Sequence, residues 1–454
     1  MNQSLFDKGE APQPSPGEVA AAQAEGGTPR LRVPHRNQVE MHWLPLDELL
    51  EPDHPARTVW SVVGGLDFHR WMDEIKAVEG TAGRDATDPR LLAALWIYAT
   101  LEGIGSARAL AKLCGKHLAF QWLCGGVSVN HHLLSDFRSQ GGDKWDALLT
   151  QIVASLLAEN LVTMKCVAQD GMRVRASAGK GSFRRRPRLQ QFLEEARRQV
   201  EALKQLDEES PEDLTRRERA ARERAARERE QRLKEALRNC DELQQQREAS
   251  AKASGRKPTE ARASTTDPES RTMKFPDGGY NPGYNVQFST DTESGIIVGV
   301  DVVNEGSDQE QLPPMLEQIE ERYDRRPEEA LVDGGFASLD AIDQAAARGC
   351  TVYAPLKEEE KQLAAGKNPY ERKKGDSDAV AAWRERMGTA AAKRIYRLRC
   401  QTAEWVNALC RNRGFRQMPV RGRPKCRTVA VLYAIAHDIV QGMQLRAKVA
   451  MNTE

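Results

Sequence analysis

Between Ser182 and about Glu260 the chain consists mostly of Arg, Glu, Gln and Ala, and this stretch restricts the fold more than any other. Its apolar positions Leu214, Leu233, Leu237 and Leu243 are too sparse for a continuous stripe, while alternating Arg and Glu give ion pairs one turn apart. Ser210-Pro211-Glu212-Asp213 supplies an N-cap, a first-turn proline and a capping acid, so a long helix is expected to begin there. The expected form is a solvated helix or helical hairpin inserted into another domain, in preference to a coiled-coil dimer. The surrounding fold must therefore tolerate a large helical insertion between two of its elements.

Upstream, from about Leu31 to Leu157, the pattern is helical. Thr87-Asp88-Pro89 is a start signal for a core helix with Leu91, Leu92, Leu95, Trp96, Tyr98 and Leu101 on a broad apolar face, ending at Gly103 and Gly105. Short helical pieces follow: Ser106 to Cys114, the Trp122 segment, and Ser128 to Arg138 after a Gly125-Gly126 break. They suit either a helix-turn-helix-like unit contacting DNA through Asn130, His131, Ser135 or Arg138, or a plain packing motif.

Near Lys165 the character changes. Cys166-Val167-Ala168 reads as a short buried strand running into Gln169-Asp170-Gly171. Beyond a polar linker, Ala249 to Glu269, Tyr284 to Thr290 alternates at period two and pairs with Ile296 to Val303 as a hairpin. A helix from Ser307 to Tyr323 and a buried strand from Glu329 to Val332, stopping at Asp333-Gly334-Gly335, come next. Then follow a helix from Ser338 to Arg348, a strand from Thr351 to Ala354, a charged stretch, and helices over Ala391 to Arg411 and Cys426 to Met443.

Composition narrows the class. The 454 residues, 40% hydrophobic, allow one large or two modest cores with room for non-globular segments. The net charge of +1 leaves local charge to decide on partners. The eight cysteines are scattered without C-x-x-C pairs and read as reduced thiols. The apolar run from Val429 to Ile439 is broken by His437 and Asp438 and falls short of the ~20 residues that span a bilayer. The first thirty residues, rich in Pro, Gly, Ala and Glu, are expected to be disordered and lack a signal-peptide core. A soluble cytoplasmic protein with no membrane partner is expected.

The order strand, insertion, two strands, helix, strand, helix, strand, two helices, with acids at the ends of the first and fourth strands, is RNase H-like. Tyr280-Asn281-Pro282-Gly283-Tyr284-Asn285-Val286-Gln287, Leu331-Val332-Asp333-Gly334-Gly335-Phe336, and Tyr396-Arg397-Leu398-Arg399 leading to Thr402-Ala403-Glu404-Trp405-Val406-Asn407 resemble blocks of bacterial insertion-sequence DDE transposases. The branch most resembled is insertion-sequence family 1182, related to the family 4/5 superfamily. Asn37-Gln38 through Asp53-His54-Pro55 resembles the same branch.

The resemblance implies a bacterial, nucleoid-associated, metal-dependent enzyme that hydrolyses DNA at transposon ends and uses the exposed 3′-hydroxyl to attack target DNA. Its catalytic and metal-binding carboxylates would be Asp170, Asp333 and Glu404. Two Mg²⁺ ions, with Mn²⁺ as the alternative, would sit roughly 3.5–4 Å apart on these hard oxygen ligands. Terminal inverted repeats and target DNA would be the partners, bound by a homodimer or higher oligomer. The related signature places Tyr, Arg, Glu and Lys with two, three and six residues between them. Counted back from Glu404, Arg397 stands at the Tyr position and Cys400 at the Arg position, with Tyr396 and Arg399 one step away and Arg411 at the terminal basic position. From Trp405 to His437 there is no acid, while Arg411, Arg413, Arg416, Arg421, Arg423, Lys425 and Arg427 accumulate, a basic rim suited to phosphates. Tyr396, Arg397, Arg399, Arg411, Arg413 and Arg138 are the candidate DNA contacts.

The expected organisation is a disordered segment over 1–30, a helical N-terminal domain over 31–160, an RNase H-like α/β catalytic domain over 161–181 and 270–443, a charged helical insertion and linker over 182–269 between its first two strands, and a tail over 444–454. A nuclease that cuts without joining, and a domesticated or inactive DNA-binding protein, are the alternative readings.

Overall fold

The structure, a computed structural model, describes residues 43–453 apart from 79, 81–84 and 210–215. The segment 1–30, Asn37-Gln38 and the helix start at Ser210 to Asp213 lie outside the described residues. The chain divides into two units, Met1–Pro45 and Leu46–Glu454, and every helix and strand described belongs to the second.

Seven helices come first: α1 (Pro55–Gly64), α2 (His69–Met72), α3 (Pro89–Leu101), α4 (Ala107–Cys114), α5 (Leu118–Cys124), α6 (His131–Gln140) and α7 (Gly142–Ala158). The start signal before α3 works as its residues suggest, with Asp88 accepting from the Arg90 amide and Pro89 in the first turn. Every residue from Leu91 to Thr100 is buried, so this helix is enclosed all round and not merely amphipathic.

The sheet is built from β1 (Cys166–Arg175), β4 (Arg271–Lys274), β5 (Tyr280–Asp291), β6 (Ile297–Val303), β7 (Glu329–Leu331) and β8 (Thr351–Tyr353). Its order is β6-β5-β1-β7-β8, with β4 beside the start of β5. The β6–β5 and β5–β1 pairs are antiparallel, and β1–β7 and β7–β8 are parallel, which is the expected mixed sheet. β1 runs seven residues beyond Ala168, where the sequence suggested it would end, because β5 pairs with it as far as Arg175↔Gly283. Gly171 and Arg173 hide that continuation by interrupting the apolar pattern.

A short pair, β2 (Phe183–Arg184) with β3 (Ala263–Ser264), forms the neck of the insertion. Beyond it α8 (Arg186–Glu209) and α9 (Arg216–Ser254) pack as an antiparallel hairpin, tied by Arg186–Asp241 and Arg229–Gln199 contacts. The hairpin buries a small core of its own, including Leu189, Leu193, Leu233, Ala236 and Cys240. Leu189, Leu193 and Ala196 of that core precede Ser210, so a count of leucines after it underestimated the packing.

The remaining helices are α10 (Leu312–Tyr323), α11 (Leu339–Ala347), α12 (Glu359–Ala364), α13 (Asp378–Met387), α14 (Ala390–Gln401), α15 (Ala403–Asn412) and α16 (Arg423–Thr453). The one helix expected over Ala391 to Arg411 is two, separated at Thr402 by backbone angles of −119° and −85°. α16 continues through the expected tail and packs against α3, α7 and β6. One hydrophobic core consequently runs from the N-terminal helices through the sheet. Among the described residues no helix is long and apolar enough to cross a membrane, and all eight cysteines are free thiols.

The apolar middle of α16 also carries two buried polar anchors to the β5–β6 turn. Asp438 accepts from the Ile297 amide at 2.8 Å, and His437 Nε2 donates to the Gly295 carbonyl at 2.9 Å. Burial pushes the His437 ring down from 6.5 to about 4, the Gly295 bond opposing it only in part. Between those values the unfolded chain takes up a proton that the folded protein refuses, so stability falls as pH drops through this window. His437→Gln is expected to remove about 3 kcal/mol of acid-side slope, read as the parent-minus-variant difference in denaturant midpoint from neutral pH to about pH 4. Parallel curves for the two proteins would refute it.

Candidate active site

Parallel pairing sets the geometry. Ala168 of β1 faces Leu331 of β7, and Asp170 and Asp333 each lie two residues further along the same direction. Two acids distant in sequence are thus register equivalents on neighbouring segments, which run about 4.8 Å apart. β7 ends before Asp333, where the chain turns and the Gly335 amide donates to Asp333 Oδ1 at 2.6 Å. Asp170 is held within a continuous strand, so its backbone is the more rigid of the two.

Even-numbered residues of β1 face α14 and α15. There Arg399, only 7% exposed, donates from Nη2 to Asp170 Oδ1 at 2.8 Å and from Nη1 to Glu404 Oε1 at 2.6 Å. Asn407 Nδ2 donates to the other Asp170 oxygen at 2.8 Å. Burial pushes the Asp170 carboxyl above its ordinary range; Arg399 and Asn407 oppose that shift and the nearby Asp333 charge adds to it. Burial pulls the Arg399 guanidinium down, but Asp170, Tyr396, Asp333 and Glu404 outweigh it and the net shift is upward. Three carboxylates and one guanidinium therefore share one electrostatic field.

The break at Thr402 makes this possible. Thr402 turns its hydroxyl back onto the Leu398 carbonyl at 2.8 Å, and the chain re-enters a helix with Glu404 in its first turn. The side chains of Arg399 and Glu404 then meet although five positions apart, and Glu404 remains about half exposed. The extra residue that displaces Tyr396 and Arg399 from the expected spacing is absorbed at the break. Tyr396 lies one turn before Arg399, half-buried, with burial first and the neighbouring acids after it raising its hydroxyl.

Asn407 was not singled out in the sequence. It stands three residues after Glu404 and four before Arg411, the spacing of one helical face, and that was the available signal.

The odd-numbered face of β1 carries a polar network. Asp308 Oδ1 accepts from Asn285 Nδ2 at 2.6 Å and Gln287 Nε2 at 2.8 Å, and Gln169 Nε2 donates to Gln287 Oε1 at 3.0 Å. Gly171 lies against it. A methyl there would overlap Asp308 Oδ1 and come within 2.7 Å of Gln287 Nε2 and 2.8 Å of Asn285 Oδ1. Gly171→Ala is expected to cost about 1–3 kcal/mol by overpacking and to lower DNA cleavage through the shift it forces on neighbouring Asp170. A thermal melt and a cleavage assay read the two effects, and an unchanged melting temperature would count against this packing.

The basic candidates separate. Arg397 is exposed on α14, and Arg411 is half-buried at the end of α15. Arg413 is partly buried with Nη1 lacking a partner. Arg427 pairs with Asp146 at 2.6 Å and Asp301 at 3.4 Å, so distant acids neutralise that end of the run. Among the described residues Arg411, Arg416, Arg421, Arg423 and Lys425 form no ion pair. The loop carrying them is fixed beside β1, since the Arg175 amide donates to the Arg416 carbonyl at 3.0 Å and the Met418 amide to the Arg175 carbonyl at 2.7 Å. Arg138 does not lie on an exposed recognition face. It is 6% exposed, stacked 4.0 Å over the Trp96 ring, with Nη1 donating to the Gly105 carbonyl at 2.7 Å. Asn130 is occupied as the cap of α6.

As to metals, no three His, Cys, Asp or Glu among the described residues are gathered closely enough to hold an ion. The donors nevertheless suit a hard divalent cation: all are carboxylates, and two of them already converge on one positive group, Arg399. Charge and ligand type fit; the guanidinium stands between the oxygens.

Comparison with known families bears on this arrangement. Residues 44–140 match a family described as Transposase domain (DUF772), and residues 255–439 match the family described as Transposase DDE domain. No curated protein and no solved structure matches the chain. The second match covers Asp333, Arg399, Glu404 and Asn407, whereas Asp170 lies before it, joined to the others by the pairing of β1 with β7.

Proposed function

We propose that this chain, a transposase of the DDE type, cuts DNA at the ends of its own mobile element and joins the freed 3′-hydroxyl to target DNA, with Asp170, Asp333 and Glu404 as the catalytic carboxylates. It is proposed to be a member of insertion-sequence family 1182. The observation that carries the residue assignment is Arg399 bound at once to Asp170 and Glu404, with Asp333 two residues past the last β7 residue paired with β1.

Transposases of this type bind DNA and use divalent metal ions. The three carboxylates would hold two Mg²⁺ ions, which when bound activate the attacking oxygen and neutralise the leaving one. The chain's own residues prepare that chemistry. The β1 backbone and Asn407 orient Asp170, so little reorganisation is left for the reaction. Half-exposed Glu404 closes the site from the helix side. The unpaired cations after α15 hold phosphates beside it, positioning the backbone for in-line displacement. Terminal inverted repeats and target DNA are the proposed substrates, and a homodimer or higher oligomer the proposed assembly.

The test uses a labelled duplex carrying the element's end, incubated with Mg²⁺ and supercoiled target. Parent protein should nick the end and give joined product; Asp333→Asn and Glu404→Gln should bind the same duplex and do neither. Nicking without joined product would favour the nuclease reading, and equal turnover by both variants would remove the assignment.

A further inference from the structure

Several largely buried arginines in this fold meet carboxylates: Arg399 meets Asp170, Arg384 meets Asp376 and Arg322 meets Asp146. Arg138 does not, nor do Arg386 and Arg413, and of these three Arg138 is the most deeply buried. No acid pairs with it, and burial is the sole influence on its guanidinium, pushed down to about 10, so it stays charged at neutral pH. Its Nε is buried without a hydrogen-bond partner. The ring of Trp96 and the Gly105 carbonyl offset some of the lost hydration, but neither carries a negative charge.

This cation borders a cavity of about 240 Å³ at the seam between the N-terminal helices and the loop after α15. Trp96, Ile104, Val429 and Leu432 give it an apolar wall, Thr100 and Tyr433 add hydroxyls, and exposed Gly103, Ser106, Gln417 and Pro419 open it to solvent. Arg108 and Arg416, both exposed, lie close in sequence to its two walls. A small anion in the cavity would supply the negative charge that Arg138 lacks.

We propose that this notch binds one phosphodiester of the DNA backbone, with Arg138 as its buried anchor. The proposal rests on the transposase reading and adds to it a phosphate site built jointly by the N-terminal helices and the segment that follows Glu404. From Glu404 to Asn412, α15 rises about 12 Å. At about 3.4 Å per base pair, that rise corresponds to three to four steps of a duplex. DNA engaged at both places would fix the distance between the cut and the bound backbone. Arg138 is a positioning residue in this scheme and takes no part in the reaction.

Free phosphate shares the chemistry, so the experiment has two arms, each run on the full chain. In the first, melting temperature is measured in sodium phosphate and in sodium chloride of equal ionic strength. In the second, affinity for the end duplex is measured against salt. Arg138→Met should abolish any phosphate-specific rise in melting temperature. It should weaken duplex binding about tenfold and reduce the slope of log affinity against log salt by about one. Arg138→Lys should restore most of the slope, which controls for packing damage in the Met variant. Gln417→Glu, which places a carboxylate at the mouth, should raise the melting temperature of the free protein while weakening duplex binding.

Unchanged salt slopes in Arg138→Met and Gln417→Glu, with the parent binding DNA, would overturn the proposal. So would a phosphate-specific stabilisation lost in Arg138→Met without any change in duplex binding, since the site would then serve free anions. A parent that binds no DNA would instead overturn the transposase reading on which the proposal depends.

Discussion

Asp170→Asn is expected to lower end cleavage about a thousandfold, corresponding to about 4 kcal/mol of transition-state stabilisation, and to destabilise the fold as well. The two effects have different origins. An amide at this position keeps the shape of the side chain but loses its charge, so a hard cation loses one anionic ligand. Arg399 remains where it was, 9% exposed in its side chain, with only half-exposed Glu404 to balance it. Removing one partner of a buried pair typically costs about 3–5 kcal/mol because the other charge is left behind. The contribution of Asn407, whose Nδ2 loses a carboxylate acceptor, adds to this. Duplex binding should be preserved or strengthened, since a negative charge has left a phosphate-facing site. Cleavage by single-turnover assay and stability by denaturant titration separate the effects. Cleavage at the parent's rate would end the role given to Asp170.

Which parts of this site were legible in sequence follows from what each residue depends on. Asp170 and Asp333 could be singled out because each follows a short buried apolar run, a local signal, and the parallel β1–β7 pairing leads toward both, although β1 continues past Asp170 and β7 stops before Asp333. The length of β1 could not, because Gly171 and Arg173 are explained by Asn285, Gln287, Gly306 and Asp308, all more than a hundred residues away in the chain. Arg399 was obscured by counting along an unbroken helix. The backbone break at Thr402 shifts what a given spacing means. The acid-free stretch after Trp405 suggested seven free cations, yet Arg427 is neutralised by Asp146 and Asp301 from remote elements. The surroundings of Arg138 were hidden for a similar reason: a helix after two glycines does not disclose which of its faces another helix covers, and here Trp96 covers the arginine. The single core shared by α3, α7, α16 and the sheet was equally hidden, since it depends on the last helix returning to the first ones.

Arg399→Gln tests the remaining part of the arrangement, and its expected signature is a metal-dependent reversal. In the parent, one guanidinium satisfies an oxygen of Asp170 and one of Glu404 while Asp333 contributes to the same field. Glutamine can donate to one of them but carries no charge, leaving buried Asp170 beside Asp333 without a cation. Without added metal the variant should therefore lose about 3–5 kcal/mol of stability, toward the lower end because Glu404 is about half exposed and its share is screened by solvent. A divalent cation now meets three carboxylates with no internal competitor. Ligand binding stabilises a fold in proportion to the logarithm of concentration over dissociation constant, so Mg²⁺ should raise the variant's melting temperature more than the parent's. Cleavage should nevertheless fall, because the guanidinium that aligns Asp170 with Glu404 is gone. Calorimetric titration of Mg²⁺ and thermal melts across a concentration series make the comparison without reference to turnover. Equal metal stabilisation of the two proteins, or a variant as stable as the parent in chelator, would show that Arg399 neither neutralises the carboxylates nor competes for them.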